Sequence, residues 1–150
     1  MHEFLPYAWF EGKCIPFKEA KISIATHALH YGTAAFGGMR AIPNPSNKEE
    51  FLLFRTDKHI KRLSQSSKLL LNEISEEYIF NALEEVIKRN KPIKPIYIRP
   101  FVYTSDLGIA PRLHNIETDF FIYCLELGDY LSPDGVSCRM SSWTRQEDRS

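Results

Sequence analysis

A tyrosine and an arginine stand two positions apart in the stretch IYIRPF, residues 96–101. Because alternate residues of a strand point to the same face, Tyr97 and Arg99 share one face and the apolar Ile96 lies on the other. An arginine offers a planar pair of donors and a tyrosine adds a hydroxyl, so the pair can hold a carboxylate. Pro100 has no backbone N–H and predicts an edge strand or a bulge. A solvated sheet edge is the alternative interpretation of this stretch taken alone.

A second stretch, AAFGGMRAI at residues 34–42, has the same character. Phe36, Gly38 and Arg40 fall on one face of a strand, which combines an apolar wall with a fixed cation. The glycine between them leaves room for a ligand or another backbone to approach closely. Taken alone, this pattern is equally typical of a bent barrel-type strand that carries a surface arginine.

Three histidines and one further arginine complete the candidate chemistry. His27 and His30 have H-x-x-H spacing, but no third ligand lies nearby, which favours structural histidines over a metal site. His59 is expected on a helix surface or cap. Arg62 precedes three serines within 64–67. An arginine beside hydroxyl groups can bind phosphate, although a solvated helix face is the commoner situation.

These residues have to be positioned by strands and helices that alternate in blocks along the chain. Gly12 supplies the turn of a first hairpin, the Gly37–Gly38 pair predicts a bend, and the composition of 43–50 predicts a loop. The order of strands, two helices and strands predicts an α+β fold, a mainly antiparallel sheet with two helices packed on one face. The expected strands are 7–10, 14–17, 20–24, 34–42, 51–55, a segment within 91–104, 118–127 and 136–143.

Both predicted helices carry start signals and apolar stripes. Thr56 is a good N-cap for the first helix and Ser75 for the second, which Asn90 and Pro92 then end. The stripes expected to face the sheet recur at helical spacing: Ile60, Leu63, Ser67 and Leu70 in the first helix, and Ile79, Leu83, Val86 and Ile87 in the second.

Composition narrows the class of protein. The 150 residues are 43% hydrophobic and 25% charged, as in ordinary globular domains. Nineteen basic and nineteen acidic residues give no net charge, which argues against nucleic-acid binding, and no polybasic or long apolar segment suggests a membrane. Cys14, Cys124 and Cys138 lack the spacing of a metal site, and the N-terminus lacks the pattern of a signal peptide. Reduced thiols in a cytoplasmic protein are therefore expected.

The motifs together resemble one family. THALHYGTAAFGGMR is similar to the N-terminal signature of the fold-type IV, pyridoxal-phosphate-dependent aminotransferases, and most of all to the branched-chain amino-acid aminotransferases, where S-H-x-L-H-Y-G precedes F-E-G-I-R. The resemblance extends from about Tyr7 to Ser150, and Gly37 departs from it where many members have glutamate. Further matching segments are YAWFEGK, FRTDKHIKRLSQSSKLL, YIRPFVY, GDYL and SSWTR.

The resemblance implies roles for individual residues. Arg62 matches the arginine that grips the cofactor phosphate. Tyr97 matches a residue that helps to bind the substrate α-carboxylate, and Arg99 one that binds the side-chain carboxylate of glutamate. Tyr31 matches a residue offered to the neighbouring subunit's site, which implies a homodimer. The residues matching the surroundings of the substrate side-chain pocket are Phe36, Gly38, Arg40 and Tyr130.

The implied activity is amino-group transfer between leucine, isoleucine or valine and 2-oxoglutarate, with pyridoxal phosphate as cofactor and no metal. The resemblance divides the chain into a small N-terminal domain (1–128), a linker (129–135) and the start of a large cofactor-binding domain (136–150). It places the Schiff-base lysine beyond Ser150, so that no catalytic residue is assigned and the chain alone is expected to be inactive and not to bind the cofactor.

Two other interpretations stay open. A different fold-type IV enzyme, the D-amino-acid aminotransferase or the aminodeoxychorismate lyase, shares much of the signature, although the Tyr-x-Arg pair favours the branched-chain group. The other is a short module without enzyme activity that binds a carboxylate or self-associates.

Overall fold

The computed structural model describes residues 3–126, 128 and 132–144, without the side chains of residues 48 and 49. Its architecture is the predicted α+β arrangement of a mainly antiparallel sheet with helices on one face. The strands are β1 (Tyr7–Phe10), β2 (Lys13–Pro16), β3 (Ala34–Phe36), β4 (Met39–Asn44), β5 (Asn47–Leu53), β6 (Ile96–Thr104) and β7 (Thr118–Glu126). The helices are α1 (His27–Tyr31), α2 (Thr56–Lys68) and α3 (Glu76–Asn90).

Strand β6 lies in the middle of the sheet. The strands follow the order β2-β1-β7-β6-β4-β5, and β3 pairs with β6 beside β4. The edge position predicted from Pro100 is therefore wrong. The Pro100 carbonyl accepts the Gly37 N–H at 3.0 Å, and the nitrogen of a strand residue faces the same neighbour as its carbonyl. The proline nitrogen thus faces the interruption between β3 and β4, where no ladder bond is lost.

That interruption falls at Gly37–Gly38. The single bent strand predicted over 34–42 is instead two strands, both antiparallel to β6. The loop predicted over 43–50 is also wrong, because β4 and β5 continue through it as a hairpin. Asn44 Oδ1 accepts the Ser46 N–H at 3.0 Å and closes the turn between them. Turn-forming residues occupy this segment, yet pairing between neighbouring strands outweighs their local preference.

The two long helices cover one face of the sheet, which we call the covered face. Their predicted stripes are confirmed, except that α2 ends before Leu70 and that Ser64 joins its buried side. The Ile, Leu and Val side chains of the two helices meet those of β6 and β7 and form the core. Buried residues at this interface are Ile60, Leu63, Ile79, Leu83, Val86, Ile96, Ile98, Val102, Phe120, Ile122 and Cys124.

The helix starts differ from each other. Ser75 Oγ accepts the Tyr78 N–H at 3.1 Å and caps α3 as predicted. At α2 the cap position is Arg55, with φ of 53°, and Thr56 is the first helical residue, so the predicted cap is wrong.

None of the helices in the described ranges is long and apolar enough to cross a membrane.

Two predicted strands do not form. Residues 20–24 run irregularly, and Ile24 is 86% exposed. The chain just before them crosses the sheet face opposite the helices, where Phe17 stacks on Phe4 with ring centroids 4.8 Å apart. Residues 136–144 are exposed and adopt neither helix nor strand. Within the described part of the chain, neither segment has a neighbouring strand that would satisfy its backbone groups.

Candidate functional site

Strand β6 carries the predicted alternation of side chains. Ile96 and Ile98 are fully buried on the covered face. Tyr97, Arg99 and Phe101 point to the opposite face, which we call the open face, and are half-buried. On β3 and β4, Phe36 and Arg40 also lie on the open face and are exposed, because Ala35, Met39 and Ala41 alternate with them in the core.

Arg99 lies between two aromatic rings. Its guanidinium carbon is 4.4 Å from the ring centroid of Phe36 and 5.2 Å from that of Tyr97. Such contacts orient the charged plane. Its Nε is buried and has no hydrogen-bond partner among the described residues. A buried donor without an acceptor costs about 1–3 kcal/mol. An incoming acceptor would remove that cost.

Gly38 accommodates the Tyr97 side chain. A Cβ atom at position 38 would lie 3.0 Å from both Cε2 and Cζ of the tyrosine ring and closer still to its hydroxyl. The close approach predicted for this glycine is therefore made by Tyr97 itself. Arg40 sits directly opposite Tyr97 in the pairing of β4 with β6.

Gly38, Arg40, Tyr97 and Arg99 line one cavity of about 820 Å³ on the open face, whereas Phe36 is not among its lining residues. Its size suits a small-molecule ligand. Among the described residues lining it are two arginines and a histidine but neither aspartate nor glutamate, and apolar side chains make up most of the rest, so it favours an anion with an apolar part. The lining residues are Phe4, Gly38, Met39, Arg40, Phe54, His59, Tyr97, Arg99, Tyr123 and Leu125.

Several of these residues were not predicted. His59, expected on the helix surface, is half-buried and reaches the cavity from α2. Tyr123 could have been found from the alternation of β7, because it lies opposite Arg99 in the pairing of the two strands. Phe4 had no local signal in the sequence, because an isolated bridge to the distant Leu125 brings it to the cavity.

Arg62 lies outside the cavity lining. Its side chain is exposed, and a Cβ at position 37 would lie 3.9 Å from its Nη2. Two of the three serine hydroxyls expected beside it bond elsewhere. Ser64 Oγ donates to the Ile74 carbonyl at 3.0 Å, and Ser67 Oγ donates to the Ser64 carbonyl at 3.0 Å, so both are spent inside the fold.

Tyr31 is also absent from the described cavity lining. Its hydroxyl donates to the Ile109 carbonyl. Of the two histidines beside it, the buried His27 bonds through both ring nitrogens, whereas the exposed His30 has its Nε2 2.9 Å from the Ile24 carbonyl. Tyr130, the remaining predicted site residue, lies outside the described part of the chain.

Comparison with known proteins gives concordant matches. Residues 35–150 match the model of the amino-transferase class IV family. A probable branched-chain-amino-acid aminotransferase of Synechocystis is 63% identical over 150 residues, which are 100% of this chain and 49% of that protein. The chain thus spans about half the length of the curated relatives it matches.

Solved structures agree with the fold. The branched-chain amino acid aminotransferase of Escherichia coli superposes with a TM-score of 0.87 and 29% identity, over 97% of this chain and 49% of that one. The PLP-form of the Thermobaculum terrenum branched-chain amino acid aminotransferase gives a TM-score of 0.73 and 26% identity, over 85% and 42%. From the sequence match and the shared fold together, this chain belongs to the class IV aminotransferase family.

Proposed function

We propose that the complete protein is a pyridoxal-phosphate-dependent branched-chain amino-acid aminotransferase, which transfers an amino group between leucine, isoleucine or valine and 2-oxoglutarate. In it, residues 1–128 form the small domain, 129–135 the linker and 136–150 the start of the large domain. The relatives of that name support the proposal. The observation that carries it is the buried Nε of Arg99, which lacks an acceptor among the described residues. This nitrogen belongs to a cavity whose described lining contains neither aspartate nor glutamate.

Carboxylate recognition is the task proposed for the open face. The Arg99 guanidinium receives the side-chain carboxylate of glutamate or 2-oxoglutarate, because its planar fork matches that group. The Tyr97 hydroxyl donates to the α-carboxylate. Arg40 adds a second fixed cation opposite Tyr97.

The same cavity must also accept an uncharged branched side chain. Phe36 lies beside the residues that line the cavity, stacks on Phe101 with centroids 5.9 Å apart and packs against the Arg99 guanidinium. A branched side chain can pack against the rings while the charged plane stays in place. Gly38 leaves room for the Tyr97 ring, and Tyr130 is proposed as a further wall on the resemblance alone.

Arg62 is the residue proposed to hold the cofactor phosphate. Its guanidinium is exposed, and no ion pair to it occurs among the described residues. Gly37 keeps any side chain away from Nη2, because a Cβ there would lie 3.9 Å from Nη2 and 3.3 Å from Pro100 Cγ. This environment fits an incoming phosphate. Pyridoxal phosphate, when bound, supplies the electron-accepting chemistry that amino transfer needs.

Self-association into a homodimer is part of the proposal. Exposed apolar side chains lie on α1, on the turn before it and on the loop after β6, which hydrogen bonds of His30 and Tyr31 join. Ile24 and Ile109 are 86% and 87% exposed, and Leu29 and Leu107 are 61% exposed. Such a patch is typical of an interface. Ile109→Asp should shift the complete protein from dimer to monomer in sedimentation velocity, whereas Ile93→Asp, at an 85% exposed position elsewhere, should not. A dimer unaffected by Ile109→Asp would contradict this interface.

The proposed compartment is the cytoplasm. Cys124 is a thiol in the core between sheet and helices, where burial raises its pKa to about 12. Such a cysteine packs as a small apolar residue and suits a reducing environment.

An amino-transfer assay tests the function directly. The complete protein, loaded with pyridoxal phosphate, should form glutamate from leucine and 2-oxoglutarate. Arg99→Met should reduce this turnover strongly with 2-oxoglutarate as acceptor. Turnover restricted to D-amino acids, or no turnover with any branched-chain donor, would contradict the proposal.

A further inference from the structure

His27 is a buried histidine whose ring joins two segments far apart in sequence. It is 3% exposed. Its Nδ1 lies 2.9 Å from Thr33 Oγ1 and its Nε2 lies 2.9 Å from the carbonyl of Ala110. Nothing in the proposed chemistry uses this ring, although both of its nitrogens are bonded and it packs on Tyr31.

The partners of the ring define its tautomer. A backbone carbonyl only accepts, so Nε2 carries the hydrogen and donates to Ala110. In the neutral ring Nδ1 then accepts from the Thr33 hydroxyl. Thr33 is itself fixed, because its carbonyl accepts the Thr104 N–H at 3.1 Å and the Asn72 side-chain amide at 3.4 Å. The Thr33 hydroxyl therefore bonds the imidazole to a residue that β6 and Asn72 hold in place.

The far end of the loop after β6 depends on this ring. Among the described residues, backbone hydrogen bonds join the α1 region to the first part of the loop, and the last of them runs from the Gly108 N–H to the Ala25 carbonyl at 3.4 Å. Beyond it, side chains of α1 make the connection in the described structure: His27 to the Ala110 carbonyl and the Tyr31 hydroxyl to the Ile109 carbonyl.

The two rings also pack on each other. The centroids of His27 and Tyr31 are 4.7 Å apart with an interplanar angle of 47°. The histidine thus holds Ala110, whose neighbour Ile109 accepts the tyrosine hydroxyl at its carbonyl. It also packs against the tyrosine ring.

We propose that His27 is a positioning residue for the substrate pocket, which holds Ile109, Ala110 and Tyr31 in place through its Nε2–H tautomer. The proposal rests on the homodimer proposed above and on the role that the resemblance implies for Tyr31, which is offered to the neighbouring subunit's site. The ring acts at a distance from the reacting atoms, so its loss should affect substrate binding more than the catalytic step.

Two substitutions separate the two bonds of the ring. A glutamine amide reaches about as far as Nε2 and an asparagine amide about as far as Nδ1, so His27→Gln keeps the donor to Ala110 and His27→Asn loses it. His30→Asn is the matched control, because that ring bonds to Ile24 on the exposed side of α1. All variants are made in the complete protein.

Hydrogen exchange reports the loop directly. Loss of one hydrogen bond should speed exchange of the Gly108 and Arg112 amides by roughly three- to tenfold in His27→Asn. His27→Gln and His30→Asn should exchange like the wild type. Imidazole ¹⁵N chemical shifts of His27 in the wild type, which require no variant, should show a protonated Nε2 and an unprotonated Nδ1.

Kinetics then test the role in the pocket. His27→Asn should raise KM for leucine roughly threefold or more with kcat nearly unchanged, and His27→Gln should restore KM. Unchanged exchange in His27→Asn, a wild-type ring protonated at Nδ1, or faster exchange without a change in KM would each overturn the proposal. Absence of transamination by the wild type would instead count against the proposed function, while exchange and tautomer still judge how the loop is held.

Discussion

Ile98 and Arg99 are consecutive residues of β6, yet they answer to different demands. Ile98 is fully buried between the sheet and the helices, where close packing holds its side chain in one position. Arg99 faces the cavity with a donor that no described residue satisfies. Because one strand carries both, the packing of the covered face fixes the position of the group that the open face presents. Sites on rigid elements hold their geometry better than sites on loops.

The open face is not simply bare. Phe36, Phe101 and Phe121 form a row of stacked rings with centroid separations of 5.9 and 4.7 Å. Phe36, at one end of this row, packs against the Arg99 guanidinium at 4.4 Å. The covered face therefore buries apolar side chains for stability, whereas the open face uses them to orient a charge.

Truncation on the covered face should have the largest effect. Ile98→Ala should lower the free energy of unfolding by about 2–5 kcal/mol, because it leaves a cavity in the core. Urea denaturation measures the change. Ile98→Val is the matched control and should cost about 0.5–1.5 kcal/mol. If Ile98→Ala lost ligand binding while keeping its stability, the division between the two faces would be mistaken.

The neighbouring residue should behave in the opposite way. Arg99→Met keeps an apolar stem on the rings and removes a buried donor, so stability should hold or rise. Binding of 2-oxoglutarate, measured by calorimetry on the complete protein, should weaken about 10- to 100-fold, as for the loss of a charge-assisted bond of about 1.5–3 kcal/mol.

Arg89→Met is the control for this substitution, since Arg89 stacks on Tyr7 at 4.7 Å, away from the cavity. Equal loss of binding in both variants would show that general charge, and not the placement of Arg99, attracts the ligand.

A smaller effect on stability alone is expected at the start of α3. Ser75→Ala removes the hydrogen bond to the Tyr78 N–H and should cost about 1 kcal/mol of unfolding free energy. Ser75→Asp restores a cap and should recover most of it. Thermal denaturation distinguishes the two variants, and ligand affinity should stay constant in both. A change in affinity with Ser75→Ala would mean that the covered face does more than hold the strand.

The smallest effect is expected at Gly38. An alanine there meets the far end of the Tyr97 ring, which can swing aside, so binding of the branched-chain 2-oxo acid should weaken roughly threefold. Gly108→Ala, where an added Cβ meets nothing within 4 Å, is the control. Affinity for both variants can be read from the same calorimetric titration. Unchanged binding in Gly38→Ala would show that the position of the Tyr97 hydroxyl does not matter.

Alternation along single strands was enough to predict the two faces. Tyr97, Arg99, Phe36 and Arg40 fell on the expected side because a strand has a period of two whatever its neighbours are. The stripes and the Ser75 cap of the helices were predictable for the same local reason.

Features that depend on pairing between distant segments were not predictable. Pro100 indicated an edge strand or a bulge, since nothing local revealed that the break at Gly37–Gly38 would lie beside its nitrogen. The hairpin through 43–50 was hidden by turn-forming residues that pairing overrides. Likewise, the bond from His27 to Ala110 spans 83 positions, and only the folded chain brings the two together.

The most direct test of the central claim is a crystal structure of the complete protein with glutarate, a dicarboxylate that lacks the reacting amino group. We expect one carboxylate to lie within hydrogen-bond distance, about 2.7–3.2 Å, of the Arg99 guanidinium, and to satisfy its buried Nε. Glutarate bound away from Arg99, with that nitrogen still without an acceptor, would contradict the account.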